Sequence, residues 1–256
     1  MSDLLPFFRE LSAAARTVTL GAAVPSAENK AAGGAYDPVT HLDRAAEVAL
    51  RALIEERFPD DAIEGEEFGL TRGDAARRWS LDPIDGTRAL ICGLPSWTTL
   101  AALLESGEPV AGMIDAPVLN ELAVGVPGRA VLLTSGEERT LQVSNCGELA
   151  EARLATTDPF LFSEEEYAGF GRLRRSVPVT RYGLDALAYA RLAAGSLDLV
   201  AESGLKPHDF NALVPVVRGA GGIIGNWRGG DDLSGGDVLA AATPQLFEQA
   251  LKLLGN

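Results

Sequence analysis

Between Trp79 and Leu133, short apolar or alternating runs are cut at close intervals by turn residues: "WTTLAALLE" is followed by "SGEP", "VAGMID" by "APVLN" and "ELAVGV" by "PGR". Connections this short can join only antiparallel neighbours, because a parallel crossover needs roughly a dozen residues or more. The middle of the chain is therefore committed to a meandering antiparallel sheet. Upstream, apolar positions recur at helical spacing from near Asp3 to Leu20 and again over "THLDRAAEVALRALIEERF", Thr40 to Phe58. Thr40 can cap the second helix with Asp43 at the capping-box position, and Pro59 follows its end. The Gly-rich "AENKAAGGAYDP" between the two helices predicts a mobile loop.

Beyond about Gln142 strands and helices alternate. "ARLATT", "SVPVTRY", "LDLVAE", "GGIIG" and "DVLAAA" read as strands; "SEEEYAGFGRL", "LDALAYARLAAG", "PHDFNALVPVVRGAG" and "TPQLFEQALKLL" read as helices. An α/β architecture of stacked helix and sheet layers follows, with a soft boundary that divides it into halves 1–140 and 141–256. No window holds about 18 consecutive apolar residues, so no membrane span is expected. The N-terminus lacks the basic region of a signal peptide, and two cysteines without metal or redox spacing suit a reducing cytoplasm. A net charge of −14 repels nucleic-acid phosphates and excludes a DNA- or RNA-binding role. The same charge makes an anionic small substrate awkward unless something positive offsets it.

That offset is suggested by "LDPIDGT", Leu81 to Thr87. Asp82 and Asp85 stand close together where a strand ends, and like charges at this distance repel unless a cation lies between them. Mg2+ takes oxygen ligands, commonly a few carboxylates together with substrate phosphate oxygens. Pro83 stiffens the segment, and the Ile84 carbonyl is a further candidate ligand. Gly86 and Thr87 then open a short helix, whose unpaired N–H groups suit a phosphate. A turn with an aspartate cap and a glycine bend reads the same residues equally well. Two other acidic stretches bear on the choice. Glu66 and Glu67 lie in "IEGEEFG", which taken alone is a solvated turn. Asp209 lies in the first turn of the helix opened by "KPHD", where compensation of the helix dipole is the plainer role.

Taken together, "GEE", "DPIDGT" and an acid opening a helix before "GAGG" resemble the inositol monophosphatase superfamily, over roughly residues 30–225. "DPIDGTRALICGLPSWTTLAAL" and "ESGLKPHDFNALVPVVRGAGG" look closest to its histidinol-phosphate phosphatase branch, which serves histidine biosynthesis. The resemblance implies a layered α-β-α-β-α sandwich, shared with fructose-1,6-bisphosphatases, and a Mg2+-dependent, lithium-sensitive phosphatase of a small phosphorylated metabolite. It implies two or three Mg2+ ions per subunit. Glu66, Asp82 and the Ile84 carbonyl would hold one and Asp82, Asp85 and Asp209 a second, with a third leaning on Glu66. Gly86 and Thr87 would donate N–H groups to the phosphate. Thr87 and Glu66 would orient and deprotonate the attacking water, with Asp43 supporting Thr87. Arg88, typical of the branch, and Asp85 would face the substrate. Relatives are commonly homodimers, and a homodimer is expected here.

The resemblance also implies that Glu202 and Asp185 line the pocket for the non-phosphate part of the substrate and so bear on substrate choice. Two acids suit a cationic group such as that of L-histidinol phosphate, whereas Glu202 alone equally suits the hydroxyls of inositol 1-phosphate. Asp185 also reads as the cap of the helix it precedes. Neither cysteine has a catalytic motif and no Gly-x-Ser-x-Gly elbow is present, which fits hydrolysis without a covalent intermediate. A non-catalytic phosphometabolite-binding protein on the same scaffold would not need Glu66 and Thr87. "RGAGGIIG" fails the dinucleotide-loop spacing and reads as a helix C-cap turn. His41 reads as a helix-start residue and His208 as solvent-facing. Trp79, Trp97 and Trp227 read as packing residues, Arg172 to Arg175 as a solvated face, and Lys30 is given no role.

Overall fold

The computed structural model describes residues 4–21, 26–30 and 38–255. Helix α1 (Leu4–Thr19) leads to two short strands, β1 (Glu28–Asn29) and β2 (Pro38–Val39), which pair antiparallel. Most of the loop expected to be mobile, residues 31–37, lies outside the described residues. Helix α2 (His41–Arg57) is capped as its sequence predicts: the Thr40 hydroxyl accepts from the Leu42 N–H while the Asp43 carboxylate accepts from the Thr40 N–H. Exposed His41 is simply its first residue.

Next come β3 (Ala62–Gly65), β4 (Gly69–Thr71), β5 (Arg77–Asp85), the short helix α3 (Thr87–Ile91), β6 (Thr98–Glu105), β7 (Glu108–Ala116), β8 (Glu121–Val126), β9 (Arg129–Thr134) and β10 (Glu137–Thr140). They form one eight-stranded sheet in the order β10-β9-β8-β7-β6-β5-β3-β4. Its run from β5 to β10 is the antiparallel meander that the turn spacing predicts; only β3 and β5 pair in parallel.

A second sheet of five strands has the order β12-β11-β13-β15-β14, from β11 (Arg153–Thr156), β12 (Val179–Tyr182), β13 (Leu199–Glu202), β14 (Ile223–Gly225) and β15 (Val238–Ala241). Between and after its strands lie α4 (Glu164–Arg175), α5 (Leu187–Ala193), α6 (Pro207–Phe210), α7 (Leu213–Gly219) and α8 (Pro244–Leu254). "PHDFNALVPVVRGAG" is thus two helices and not the single one expected. Asn211 and Ala212 keep helical torsions, but Pro215 has no N–H to give the Asn211 carbonyl, so the hydrogen-bond ladder lapses there. The "GAGG" that follows is the expected C-cap turn, with Gly221 at φ +87°.

Strand alternation explains the layering. Ala101 and Leu103 of β6 face Phe7, Phe8 and Leu11 of α1 and Leu50 and Ile54 of α2. Leu100, Ala102 and Leu104 of the same strand face the opposite way, into a core with α5, α7 and Val200, Ala240 of the second sheet. Beyond that sheet, Phe170 and Leu173 of α4 and Leu246, Phe247 and Ala250 of α8 close the stack. The order is α-β-α-β-α, as expected. Glycines let α7 lie close on the first sheet: a Cβ at Gly125 would sit 2.2 Å from the Pro215 carbonyl carbon, so Gly125→Ala would force the layers apart. Trp79, Trp97 and Trp227 are all buried packing residues. Among the described residues no helix is long and apolar enough to cross a membrane.

Candidate active site

In a regular strand, residues three apart point to opposite faces. Asp82 and Asp85 escape this because β5 carries a bulge between them: Asp82 pairs with Leu100 and Asp85 with Thr98, so three steps on β5 match two on β6. The extra residue re-aims one side chain and brings both carboxylates to one side. Pro83, which cannot donate to a ladder, sits within the bulge, where proline is tolerated. Thr99 Oγ1 donates to the Pro83 carbonyl at 2.8 Å and fixes the distortion.

Asp209 comes from the second half of the chain. It is the third residue of α6 and its Oδ2 accepts from the Lys206 N–H at 2.7 Å, so the plainer capping role is real as well. Buried Asn211 donates to Ser80 Oγ at 3.1 Å and ties α6 to β5. The result is a cluster: Asp82, Asp85 and Asp209 each offer a carboxylate oxygen, and these lie within 4.8 Å of one another. Burial drives the Asp82 and Asp85 carboxyls well above the usual range; neighbouring carboxylates add to the rise, Glu66, Asp85 and Asp209 for Asp82, and Asp185 and Asp209 for Asp85. Asp209 is also raised, by burial, against the pull of His208 and the Lys206 N–H. A buried set of oxygens that repel one another fits a hard divalent cation better than any group of the chain itself.

Glu66 faces the same cavity but stands outside that triad. It lies on the β3–β4 turn, which is held by a residue the sequence reading did not single out. Fully buried Glu47 accepts from the N–H groups of Glu67 at 2.7 Å and Phe68 at 3.2 Å and pairs with Arg51 at 2.8 Å. A Cβ on Gly65 would sit 2.0 Å from Glu47 Oε1, so glycine is needed for the approach. Lys30, given no role from sequence, reaches Glu66 Oε1 at 2.7 Å and Glu67 Oε1 at 2.6 Å. Burial opposes its charge, but the two carboxylates outweigh burial and raise it above the usual lysine range. His208 is a correction: it is not solvent-facing. Its side chain is 16% exposed, and Nε2 lies 3.4 Å from Asp209 Oδ1 and 4.0 Å from Glu66 Oε1.

Gly86, at φ +82°, begins α3, and a Cβ there would lie 2.9 Å from Asp185 Oδ2. Thr87 Oγ1 lies 3.2 Å from Asp43 Oδ1 and 3.1 Å from the Ile84 carbonyl, and can donate to either. Asp43 is fully buried; burial raises its carboxyl and the Thr40 hydroxyl and N–H counteract. Ile84, Gly86, Thr87 and Arg88 border the cavity together with the acids.

The cavity, about 270 Å³, is completed by Asp185, Tyr189, Thr157 and Glu202. Asp185 takes a left-handed backbone, φ +49°, and α5 is capped by Ala186 with no side-chain bond, so Asp185 is not a helix cap. The Ala186 N–H instead donates to Asp85 Oδ2 at 2.7 Å. Burial lifts Asp185 to about 6, with Arg88 opposing and Asp209 adding. Glu202 is lifted to about 8 by burial, although the Thr157 hydroxyl and N–H donate to its Oε1 at 2.9 and 2.7 Å. The structure therefore gathers Glu66, Asp82, Ile84, Asp85, Gly86, Thr87, Arg88, Asp185, Glu202 and Asp209 around one cavity, with Asp43 behind Thr87.

Layered fold and carboxylate cluster together define a metal-dependent phosphatase. A model of the inositol monophosphatase family matches residues 1–256. The chain is 45% identical over 228 residues to the bifunctional phosphatase IMPL2, chloroplastic, of Arabidopsis thaliana, a match covering 85% of this chain and 65% of that longer protein. It is 35% identical over 228 residues to a histidinol-phosphatase of Streptomyces coelicolor, covering 86% of this chain and 84% of the relative. The structure of an inositol monophosphatase from Zymomonas mobilis superposes with a TM-score of 0.86 at 40% identity, covering 100% of this chain and 98% of that one. The chain belongs to the inositol monophosphatase family, whose members are metal-dependent hydrolases of phosphate monoesters.

Proposed function

We propose that this chain is a Mg2+-dependent phosphatase of L-histidinol phosphate, releasing L-histidinol and phosphate. The observation that carries the reading is the pair Asp185 and Glu202, two acids lining one cavity with the carboxylate cluster. A cationic amino-alcohol gains from the Asp185 carboxylate and, once its proton is lost, from Glu202, and the Streptomyces coelicolor relative is named for this activity. Asp82, Asp85, Asp209, Glu66 and the Ile84 carbonyl would hold the ions. When bound, divalent ions supply the positive charge and the polarisation of water and phosphoryl oxygens that carboxylates cannot.

The chain's own residues do the rest. Gly86 and Thr87 present backbone N–H groups toward the phosphate at the start of α3. With its proton committed to Asp43 or to the Ile84 carbonyl, the Thr87 hydroxyl keeps a lone pair to orient a water for attack. Glu66 takes that water's proton, and for this it must leave Lys30, its partner here. Arg88 and Asp85 face the substrate beside Asp185. Inositol 1-phosphate is the second reading: Glu202, raised to about 8, is largely protonated at neutral pH and suits hydroxyl groups. Phosphate release in Mg2+ from L-histidinol phosphate and from inositol 1-phosphate separates the two. Faster turnover of the inositol ester overturns the first, and no release from either favours a phosphometabolite-binding protein.

A further inference from the structure

Tyr189 lies on α5, 1% exposed, with its ring in the core between the two sheets. It also borders the cavity that holds Asp85, Asp209 and Glu202. Among the described residues it carries the one buried side-chain oxygen without a hydrogen-bond partner. A buried polar group left unpaired costs about 1–3 kcal/mol, and phenylalanine would fill the same space without that cost. The neighbouring acids do not use the hydroxyl. Glu202 is bonded by Thr156 and Thr157, Asp85 by Thr98 and the Ala186 N–H, and Asp209 by the Lys206 N–H. The phenol also keeps its proton, since burial and then the charges of Glu202, Asp85 and Asp209 push its ionisation well up. Tyr189 and Glu202 line the same cavity, Glu202 on the side assigned to the organic part of the ester.

We propose that Tyr189 is a specificity-determining residue whose hydroxyl hydrogen-bonds a polar group, amine or hydroxyl, on the alcohol part of the phosphate ester. The inference rests on the phosphatase reading above and deepens it: the preferred substrate is a polar alcohol phosphate, and the orphaned hydroxyl is satisfied only when that alcohol is bound. A site built to bond a polar group rejects ligands that lack it, because its own buried group is then left unpaired.

The test is Tyr189→Phe, assayed in Mg2+ on L-histidinol phosphate, inositol 1-phosphate and phenyl phosphate, whose alcohol has no second polar group. For the polar ester that the wild type prefers, KM should rise about 10-fold, equivalent to about 1.4 kcal/mol, with kcat within about 3-fold. Values for phenyl phosphate should not move, and the thermal midpoint of the ligand-free variant should be unchanged or higher. An equal effect on phenyl phosphate, no effect on the polar ester, or a lowered midpoint overturns the inference. If the wild type prefers the inositol ester, the histidinol reading falls while Tyr189 is still judged on that ester. If the wild type releases phosphate from none of the three, both fall.

Discussion

Two groups of buried aspartates in this molecule have opposite surroundings. Asp198 is fully buried yet takes the Arg153 backbone N–H at 2.8 Å, its Nε at 2.7 Å and its Nη2 at 2.9 Å, together with the Ser144 hydroxyl. Burial pushes its carboxyl up, but Arg153 and Ser144 outweigh burial and leave it below the usual range. Asp82 is buried as well and Asp85 half-buried, and the neighbours that shift them most are other carboxylates, which raise them further. A buried charge with its counter-charge built in belongs to the scaffold. One surrounded by its own sign is suited to hold a cation from solution.

The sharpest way to break this contrast is Asp82→Asn. Phosphate release should fall by at least about 10^3-fold, the order of a lost transition-state charge contact. The metal-free variant should meanwhile melt no lower than wild type, because a repelling charge has been removed. An active variant would refute the metal assignment. Arg153→Ala should do the reverse: it leaves Asp198 with only the residue-153 N–H and the Ser144 hydroxyl and, because the arginine side chain is half-exposed, costs about 1.5 kcal/mol, a fall of roughly 3–6 °C in thermal midpoint, with kcat retained. Because the folded carboxyl of Asp198 lies below its unfolded value, its contribution is present above the ordinary aspartate pKa and fades below it. Wild type and Arg153→Ala should therefore converge in urea titrations as pH drops below about 4.

The smallest effect concerns the acids between these extremes. Asp185→Asn at neutral pH, and Glu202→Gln at a pH above about 8 where that carboxylate is formed, should each raise KM for L-histidinol phosphate about 10-fold, the size of one hydrogen bond to a charged group. Glu202, at about 8, holds its proton at neutral pH in the free enzyme. Affinity for a cationic substrate should climb as pH rises from 7 through 8, where the carboxylate forms, and Glu202→Gln should flatten that climb. Unchanged KM in both variants would remove these residues from substrate recognition.

Much of this was legible in the residues because the signals are local. The turn spacing forced the meander, Thr40 and Asp43 announced a capped helix, and "DPIDGT" placed two acids beside a phosphate-friendly helix start. What escaped are contacts between distant segments or details of backbone geometry. The Lys30 bridge to Glu66 spans 36 residues, and nothing in "AENKAAGG" marks that lysine. His208 looked like a surface residue because the fold of α6 against Glu66 has no trace in its neighbours. Tyr189 hid in an apolar helical pattern, where only its missing partner sets it apart. The lapse between α6 and α7 had a local signal, Pro215, but the apolar periodicity ran straight across it.

The two halves of the carboxylate triad are joined late in the chain: Asp209 lies 124 residues after Asp85 (209 − 85), on the far side of the whole meander. A ribosome adding about 5–20 residues per second exposes the first two aspartates some 6–25 s before the third is made. Through that interval the nascent chain holds an unfinished acidic cluster, and docking of α6 against β5, through Asn211 and Ser80, completes it. The acidic triad is thus assembled in one step, and a chain stopped before α6 would carry the first sheet without its third acid.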